Sequence, residues 1–207
     1  MDLFAPDPAA NLLPCDGTTL YHGRIFTLAE ADRYFIALTN TLAWTHDEVV
    51  LYGRRITTAR KVAWYGDAPY AYTYSGATKT ALPWTPELRE IKALIEKATG
   101  TTYNSCLANL YHTGEEGMGW HSDDEKVMGK NTSIASISLG AERKFAFKHK
   151  TRPALGTVSL LLEHGSLLEM KGSTQSHWLH RLPPTKKVSE PRVNLTFRTF
   201  VEPGKNG

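Results

Sequence analysis

The first candidates for a metal-binding site are a histidine and an aspartate that stand two positions apart. His121 and Asp123 flank Ser122. In an extended segment, residues two apart point to the same side, so both side chains can face a single metal ion. An imidazole nitrogen and a carboxylate oxygen suit iron(II) at a site that keeps open positions. Because an isolated pattern of this kind is common in surface loops, other residues must support it.

A site of this type needs a second histidine from a distant strand, and the C-terminal part of the chain offers two candidates. His180 and His177 stand three positions apart, and spacing alone leaves both open. A structural zinc site is excluded by ligand count and by the isolation of Cys15 and Cys106. The other histidines are interpreted as ordinary core or surface residues: His22, His46, His112, His149 and His164.

Near the C-terminus, two arginines share one face of a predicted strand. Arg192, Asn194, Thr196 and Arg198 alternate with Val193, Leu195 and Phe197. If the polar face points inward, the arginines need an anionic partner, and a dicarboxylate ligand would supply one through charge-assisted hydrogen bonds. If the strand is reversed, the arginines face solvent and the apolar residues face the core. The alternation leaves both orientations open.

Two helices are predicted upstream of these residues. The first begins after Thr27, whose spacing to Glu30 has the form of a capping box, and apolar residues follow at helical spacing. The second begins at Thr85-Pro86, a cap residue followed by proline at the first helical position, and ends at Gly100.

Short strands in series are predicted after the second helix, and they favour an antiparallel sandwich or barrel. They cover residues 105–111, 133–139, 144–149, 157–162, 166–170 and 193–201. The chain is therefore interpreted as mostly β with flanking helices. No repeat or linker divides its 207 residues, which predicts a single domain 1–207 with an irregular N-terminal arm over residues 1–25.

The composition is that of a globular protein, with 41% hydrophobic and 22% charged residues. No apolar run is long enough to cross a bilayer, and the N-terminus lacks a secretory signal pattern. The two isolated cysteines predict a reducing, intracellular setting. A net charge of +3 does not by itself indicate a nucleic-acid partner. Three local basic clusters could neutralise phosphates or form a solvated face: residues 54–61, residues 144–152 and residues 181–187.

Several segments together resemble the AlkB family of iron(II)- and 2-oxoglutarate-dependent dioxygenases, and most closely its eukaryotic members that repair alkylated DNA and RNA. They are H-S-D-D-E at 121–125, H-W-L-H at 177–180 and P-R-V-N-L-T-F-R at 191–198. The similarity also includes residues 59–61, 72–76 and 104–111, and it covers about residues 50–201 in family order.

The resemblance implies a double-stranded β-helix, or jelly-roll (cupin-like), core that binds Fe(II), 2-oxoglutarate and O2. The implied iron ligands are His121, Asp123 and His180. The implied 2-oxoglutarate residues are Asn109, Tyr111, Arg192, Asn194 and Arg198. Arg192, helped by Tyr111 and Asn194, would bind the far carboxylate, whereas Asn109 and Arg198 would lie near the metal-binding end. Leu110 departs from many relatives, which have arginine there, and its side chain is expected to point away from the site.

The resemblance also implies oxidative demethylation of N-alkylated bases in DNA or RNA, such as 1-methyladenine and 3-methylcytosine. The reaction would consume 2-oxoglutarate and O2 and release succinate, CO2 and formaldehyde. Residues 26–100 would provide helices and nucleotide-recognition hairpins, and residues 101–201 the catalytic jelly-roll. The implied substrate residues are Tyr52, Arg60, Tyr72, Tyr74, Ser75, Asp124 and Glu125.

In this interpretation, Tyr72 and Tyr74 line the pocket for a flipped base, and the carboxylates Asp124 and Glu125 suit its positive charge. Tyr52, at the tip of a hairpin, would fill the gap that the flipped base leaves in a duplex. The protein is expected to be a monomer without a membrane partner, cytoplasmic in a bacterium or nuclear in a eukaryote. Two alternatives are the same oxygenase chemistry on a protein, lipid or small molecule, and a non-catalytic nucleic-acid-binding jelly-roll.

Overall fold

The computed structural model describes residues 9–51, 54–74, 77–125, 127 and 129–201, with the backbone alone for residues 49–51, 54–55, 72–74 and 77–78. The helices are α1 (Leu28–Thr41), α2 (Pro86–Thr99) and α3 (Thr174–His177). The strands are β1 (Thr18–Arg24), β2 (Thr45–Leu51), β3 (Arg54–Gly66), β4 (Ala71–Tyr74), β5 (Ala77–Thr80), β6 (Leu82–Pro83), β7 (Ser105–Tyr111), β8 (Met118–His121), β9 (Ile134–Gly140), β10 (Arg143–His149), β11 (Thr157–Leu162), β12 (Ser166–Lys171), β13 (Trp178–Leu182) and β14 (Arg192–Arg198). Within these ranges, no helix is both long and apolar enough to cross a membrane.

Two antiparallel sheets form the body of the protein. The major sheet has the order β1-β12-β9-β14-β7-β3-β2, and β6 pairs with β3 in parallel beside this path. The minor sheet has the order β11-β10-β13-β8. Strands β4 and β5 form a separate two-stranded hairpin. Strands that are neighbours in each sheet are often distant in sequence, so residues far apart along the chain meet between the sheets.

The two long helices cover the outer face of the major sheet. Thr27 and Glu30 form the predicted capping box at the start of α1. Thr85 caps α2, and Gly100 ends it in the left-handed conformation with φ of +67°. Their buried apolar faces pack with buried residues of the sheet in one cluster: Tyr34, Leu38, Leu88, Ile91, Ile95, Ala108, Ile137 and Leu195. Both helix predictions are confirmed.

Between the two sheets, one end is filled by a second apolar cluster. Phe147 and Trp178 come from the minor sheet, whereas Ile134, Leu168 and Met170 come from the major sheet. These side chains are at most 2% exposed, so they fix the spacing between the sheets. The other end is not filled by side chains and contains the cavity described below.

The prediction of an irregular arm over residues 1–25 is wrong for its last part. Residues 18–24 form β1, which pairs with β12 at the edge of the major sheet. Thr19 and Tyr21 are buried, and β-branched and aromatic residues of this kind favour strands. Because the nearby Pro14 and Gly17 are typical of loops, the sequence did not predict this short edge strand.

Candidate active site

A cavity of about 670 Å³ lies between the sheets, and residues of both sheets line it. His121 and His180 come from the minor sheet, whereas Asn109, Arg192 and Arg198 come from the major sheet. Its position between the sheets brings histidines and arginines that are distant in sequence into one space.

Three side chains that can hold a metal ion meet in this cavity. His121 is the last residue of β8 and pairs directly with His180 of β13. Their ring centroids are 4.3 Å apart. Asp123 follows beyond the strand end, and its carboxylate completes a group whose ligand atoms all lie within 4.8 Å of one another. Two imidazoles and one carboxylate are the donor set of a facial triad.

Hydrogen bonds orient two of these ligands. The Nδ1 atom of His121 lies 2.9 Å from the carbonyl oxygen of Gly119, which makes Nδ1 the donor and leaves Nε2 for a metal. The backbone N–H of Asp123 donates to the side-chain oxygen of Gln175 at 2.9 Å. One guanidinium nitrogen of Arg198 donates to Asp123 Oδ1 at 3.0 Å. The Asp123 side chain is therefore held although it lies outside a strand.

Burial and neighbouring charges set the protonation of the triad. Burial lowers the pKa of His180 to about 3, although the charge of Asp123 opposes this shift. Burial alone would raise the pKa of Asp123, but its surroundings, with the charge of Arg198 foremost, outweigh burial, so this pKa lies below its ordinary value. A neutral imidazole and an ionised carboxylate are the forms that bind metals.

The structure distinguishes the two candidate histidines. His180 is buried and belongs to the metal-binding group. His177 ends α3, is exposed and stacks on His149 with ring centroids 6.0 Å apart. The second histidine of the metal-binding group, which spacing alone left open, is therefore His180.

The arginine-bearing strand β14 has both faces buried, because the sheet lies between the helices and the cavity. Val193, Leu195 and Phe197 belong to the core cluster under the helices. Arg192, Asn194, Thr196 and Arg198 line the cavity. The inward orientation of the polar face is confirmed, and the reversed strand is excluded.

Arg192 is a buried cation that lacks an acidic partner among the described residues. It is 3% exposed, donates to Ser138 Oγ at 2.9 Å, and has no hydrogen-bond partner for its Nε atom. Its guanidinium carbon lies 5.6 Å from the ring centroid of Tyr111. Burial lowers its pKa to about 10, which leaves it charged at neutral pH. A buried cation of this kind requires an anion.

The pairing of β7 with β14 brings together the other residues that are expected to bind 2-oxoglutarate. Tyr111 pairs with Arg192, and Asn109 pairs with Asn194, so these side chains share the cavity face of the sheet. Asn194 donates to Ser136 Oγ at 2.9 Å and to the Ile137 carbonyl at 3.0 Å. As predicted, the remaining residue, Leu110, points away from the cavity and into the core cluster under the helices.

The predicted substrate residues divide into four groups. Arg60 and Glu125 line the cavity, and burial raises the pKa of Glu125 although Arg198 opposes this shift. Asp124 is exposed and pairs with Lys150 at 3.0 Å, so the structure does not bring it to the cavity. The backbones of Tyr72 and Tyr74 lie in β4, whereas Tyr52 and Ser75 lie outside the described residues.

Several functional residues were not anticipated from the sequence. Gln175 orients Asp123, Ser138 contacts Arg192, and Asp47 and Lys79 line the cavity. Ser136 and Ser138 stand two apart in β9 and therefore point to one face of the strand. This spacing could have indicated that they share the cavity with the arginines. Gln175 and Asp47 carried no signal, because their roles depend on contacts across the fold.

Comparisons with known proteins agree with this geometry. A family model described as the 2OG-Fe(II) oxygenase superfamily matches residues 17–198. DNA oxidative demethylase ALKBH2 of Mus musculus is 41% identical, over 97% of this chain and 87% of that protein. Alpha-ketoglutarate-dependent dioxygenase alkB homolog 3 of Homo sapiens is 41% identical, over 91% of this chain and 67% of that protein. The chain belongs to the AlkB family of Fe(II)/2-oxoglutarate-dependent dioxygenases.

The AlkB fold is also found in a solved structure described as "The structure of OsALKBH1". It superposes with a TM-score of 0.63 at 16% identity and covers 90% of this chain and 99% of that one. At this identity, the likeness concerns the fold alone. The expected jelly-roll with flanking helices is confirmed.

Membership in the AlkB family implies Fe(II), 2-oxoglutarate and O2, and the residues present fit these groups. His121, Asp123 and His180 offer the two imidazoles and the ionised carboxylate that an open iron site needs. Arg192 offers a buried cation for the far carboxylate of a dicarboxylate. The chain is an Fe(II)/2-oxoglutarate-dependent oxygenase whose metal-binding group fits iron.

Proposed function

We propose that this AlkB-family enzyme removes alkyl groups from N-alkylated bases of DNA or RNA, including 1-methyladenine and 3-methylcytosine. The observation that carries the proposal is 41% identity, over 97% of the chain, to a relative named a DNA oxidative demethylase. The cavity is compatible with it, because it offers Glu125, with a buried and unpartnered Oε2 atom, near the metal-binding group.

On the cavity face of the major sheet, the enzyme's own residues bind the co-substrate. Arg192 binds the far carboxylate, and Tyr111 and Asn194 lie beside it on the same sheet face. Arg198, which contacts Asp123, and Asn109 bind the metal-binding end of the co-substrate. Because Arg192 is almost fully buried, its attraction to a carboxylate is only weakly screened by water.

The base is recognised by charge and by aromatic surface. Glu125 accepts a hydrogen bond from, or balances the positive charge of, the alkylated base. Tyr72 and Tyr74, on the β4–β5 hairpin, provide ring faces on which the extracted base stacks. Tyr52 enters a duplex at the position of the extracted base.

When bound, iron(II) with 2-oxoglutarate supplies the oxidation by dioxygen that hydroxylates the N-linked methyl carbon. One oxygen atom enters succinate, which forms with CO2, and the other enters the methyl group. The C–N bond of the hydroxymethyl adduct then breaks. Its electron pair stays on the base nitrogen, the hydroxyl proton passes to solvent, and formaldehyde leaves the repaired base. Asp123 stays ionised during this sequence, because Arg198 donates to its Oδ1 atom. Phe145 and the other apolar lining residues keep bulk water from the reacting carbon.

The test is to incubate the full chain with iron(II), 2-oxoglutarate and oligonucleotides that contain one methylated base, single-stranded or in duplex. We expect mass spectrometry to detect the loss of one CH2 unit, and an Asp123→Ala variant to leave the oligonucleotide unchanged. If 2-oxoglutarate is consumed while every oligonucleotide keeps its mass, the substrate class is wrong.

A further inference from the structure

An irregularity in the pairing of β2 and β3 occurs at Asp47, which lines the cavity. His46 pairs with Lys61, but Glu48 pairs with Thr57, so the register shifts at the residue between them. Asp47 thus stands opposite several residues of β3 rather than one. Bulges of this kind redirect side chains and are frequent beside active sites. Here both Asp47 and Arg60 of the facing strand line the cavity.

The two carboxylate oxygens of Asp47 accept hydrogen bonds from side chains of two different strands. Oδ2 accepts a hydrogen bond from Arg60 Nη2 at 2.6 Å, and Oδ1 accepts one from the ammonium group of Lys79. Arg60 Nη1 in turn donates to Asn109 Oδ1 at 2.6 Å. A continuous series of contacts therefore runs from the β4–β5 hairpin, which carries Lys79, to the cavity face of β7, which carries Asn109.

The two links differ in strength. The side chains of Arg60 and Asp47 are 8% and 18% exposed, and breaking a nearly buried pair leaves an unpaired charge at high cost. The Lys79 side chain is 42% exposed, and contacts of this kind contribute little to folding stability. The Arg60 link therefore belongs to the scaffold, whereas the Lys79 link can form and break while the protein stays folded.

The series of contacts also fixes the amide of Asn109. Because Arg60 donates to the carbonyl oxygen, the NH2 group is the end that remains for a ligand in the cavity. An NH2 group donates, and a carboxylate only accepts. The orientation of Asn109 that suits 2-oxoglutarate thus depends on Arg60, and the position of Arg60 depends on Asp47.

We propose that Asp47 is a positioning residue that couples the β4–β5 hairpin, through Lys79, to 2-oxoglutarate binding, through Arg60 and Asn109. The inference rests on the proposed function, in which the hairpin holds the target base. A nucleic acid that fixes the hairpin also fixes Lys79 on Asp47, and so tightens co-substrate binding. By linkage, 2-oxoglutarate tightens nucleic-acid binding by the same factor.

The experiment measures the Kd of 2-oxoglutarate by calorimetry under argon, with manganese(II) as the metal, with and without a saturating single-stranded 1-methyladenine oligonucleotide. The wild-type protein should bind 2-oxoglutarate about fivefold or more tightly with the oligonucleotide present, as expected for a typical coupling. In Lys79→Met, this ratio should fall to about one. In Asp47→Asn, the ratio should also fall to about one, and 2-oxoglutarate binding should weaken even without the oligonucleotide.

The matched control is Asp32→Asn, because Asp32 is an exposed carboxylate on α1 that pairs with His164 away from the cavity. It should retain the wild-type ratio, and thermal unfolding should show that all variants fold. A ratio near one in the wild-type protein, or an unchanged ratio in Lys79→Met and Asp47→Asn, would overturn the proposal.

Failure of the proposed function gives a different result, in which the wild-type protein does not bind the oligonucleotide at all. The coupling is then measured by hydrogen–deuterium exchange of residues 71–80 upon addition of manganese(II) and 2-oxoglutarate. Slower exchange in the wild-type protein but not in Lys79→Met supports the role of Asp47. Equal exchange in both proteins contradicts it.

Discussion

At the scale of single residues, the metal-binding group combines side chains whose charges are set by different causes. Burial keeps His180 neutral, and the charge of Arg198 keeps Asp123 ionised. Arg198 was expected only to bind co-substrate, but its hydrogen bond to Asp123 gives it a second role. Residue types and spacing predicted His121 and Asp123 but left His177 and His180 open, and the resemblance to the AlkB family implied His180. The support from Gln175 could not be predicted, because it joins residues distant in sequence.

The first prediction concerns the choice of the second histidine. His180→Ala removes a ligand and should weaken manganese(II) or iron(II) binding by on the order of 100-fold, since loss of a supporting residue alone costs about 10- to 100-fold. His177→Ala is the matched control, because His177 is exposed and stacks on His149. Metal titration monitored by calorimetry decides between them. Equal losses in both variants would show that the assignment is wrong.

The second prediction concerns the buried cation. Arg192→Met keeps an unbranched apolar stem like that of arginine but removes the guanidinium and its charge. It should weaken 2-oxoglutarate binding by about 100-fold or more, because loss of one partner of a buried ion pair costs about 3–5 kcal/mol. Calorimetry with manganese(II) under argon provides the affinity. Arg89→Met, which changes an exposed arginine of α2, should leave it unchanged. An unaltered affinity in Arg192→Met would mean that another cation binds the far carboxylate.

At the scale of secondary structure, elements with local signals were predicted well. The cap residues Thr27 and Thr85 and the stop at Gly100 gave both long helices, because capping depends on adjacent residues. The strand β7 was predicted with its observed bounds, and β14 was predicted three residues too long at its C-terminal end. The bulge at Asp47 was not predicted, because it results from pairing with β3.

The third prediction concerns Tyr52 and Tyr72, the two tyrosines proposed to act on the target base. Tyr52 lies outside the described residues; in the sequence it stands between Leu51 and Arg54, which pair as the last residue of β2 and the first of β3. Tyr52→Ala should reduce repair of a duplex by roughly tenfold or more, since stacking on one base contributes about 1–3 kcal/mol. Repair of a single strand should hardly change, because no stack is broken there.

Tyr72→Ala is the comparison variant, and it should impair both substrates because both place the base in the same pocket. The yield of repaired base from matched oligonucleotides measures each effect. Equal losses on duplex and single strand for Tyr52→Ala would leave this residue without a role in base extraction.

The fourth prediction concerns Glu169 of β12, which is 1% exposed. Burial alone would raise its pKa, but contacts with His22, Ser133 and Lys171 outweigh it and hold the pKa below the ordinary value of 4.5. Its ionisation therefore stabilises the fold above about pH 4.5, and this contribution is lost as the pH falls through the lowered pKa. The contact with His22 also holds β1 to the sheet.

Glu169→Gln should lower the free energy of unfolding at pH 7 by about 1–3 kcal/mol, as expected when a buried charged hydrogen bond is lost. Its stability should also depend less on pH below 4.5 than that of the wild-type protein. Urea unfolding at a series of pH values measures both effects, with the exposed Glu115→Gln as control. If the free energy of unfolding falls equally steeply below pH 4.5 in Glu169→Gln and in the wild-type protein, the ionisation of Glu169 does not stabilise the fold.

At the scale of the whole molecule, the two sheets determine which distant residues meet. The second and third basic clusters of the sequence come together on the outer face of the minor sheet. There Lys148 Nζ lies 4.7 Å, and the Arg181 guanidinium carbon 4.5 Å, from the ring centroid of Trp120. Residue spacing could not predict this arrangement, because it depends on the strand order β10-β13-β8. The same strand order brings His121 beside His180.

If this fold directs iron and 2-oxoglutarate chemistry to a methylated base, one reaction with a 1-methyladenine oligonucleotide forms succinate, formaldehyde and repaired base together. Measurement of all three products in that reaction should give equal amounts. Asp123→Ala should form none of them, and an unmethylated oligonucleotide should give only a slow release of succinate. Succinate formed at the same rate with methylated and unmethylated oligonucleotides, without formaldehyde, would contradict this prediction.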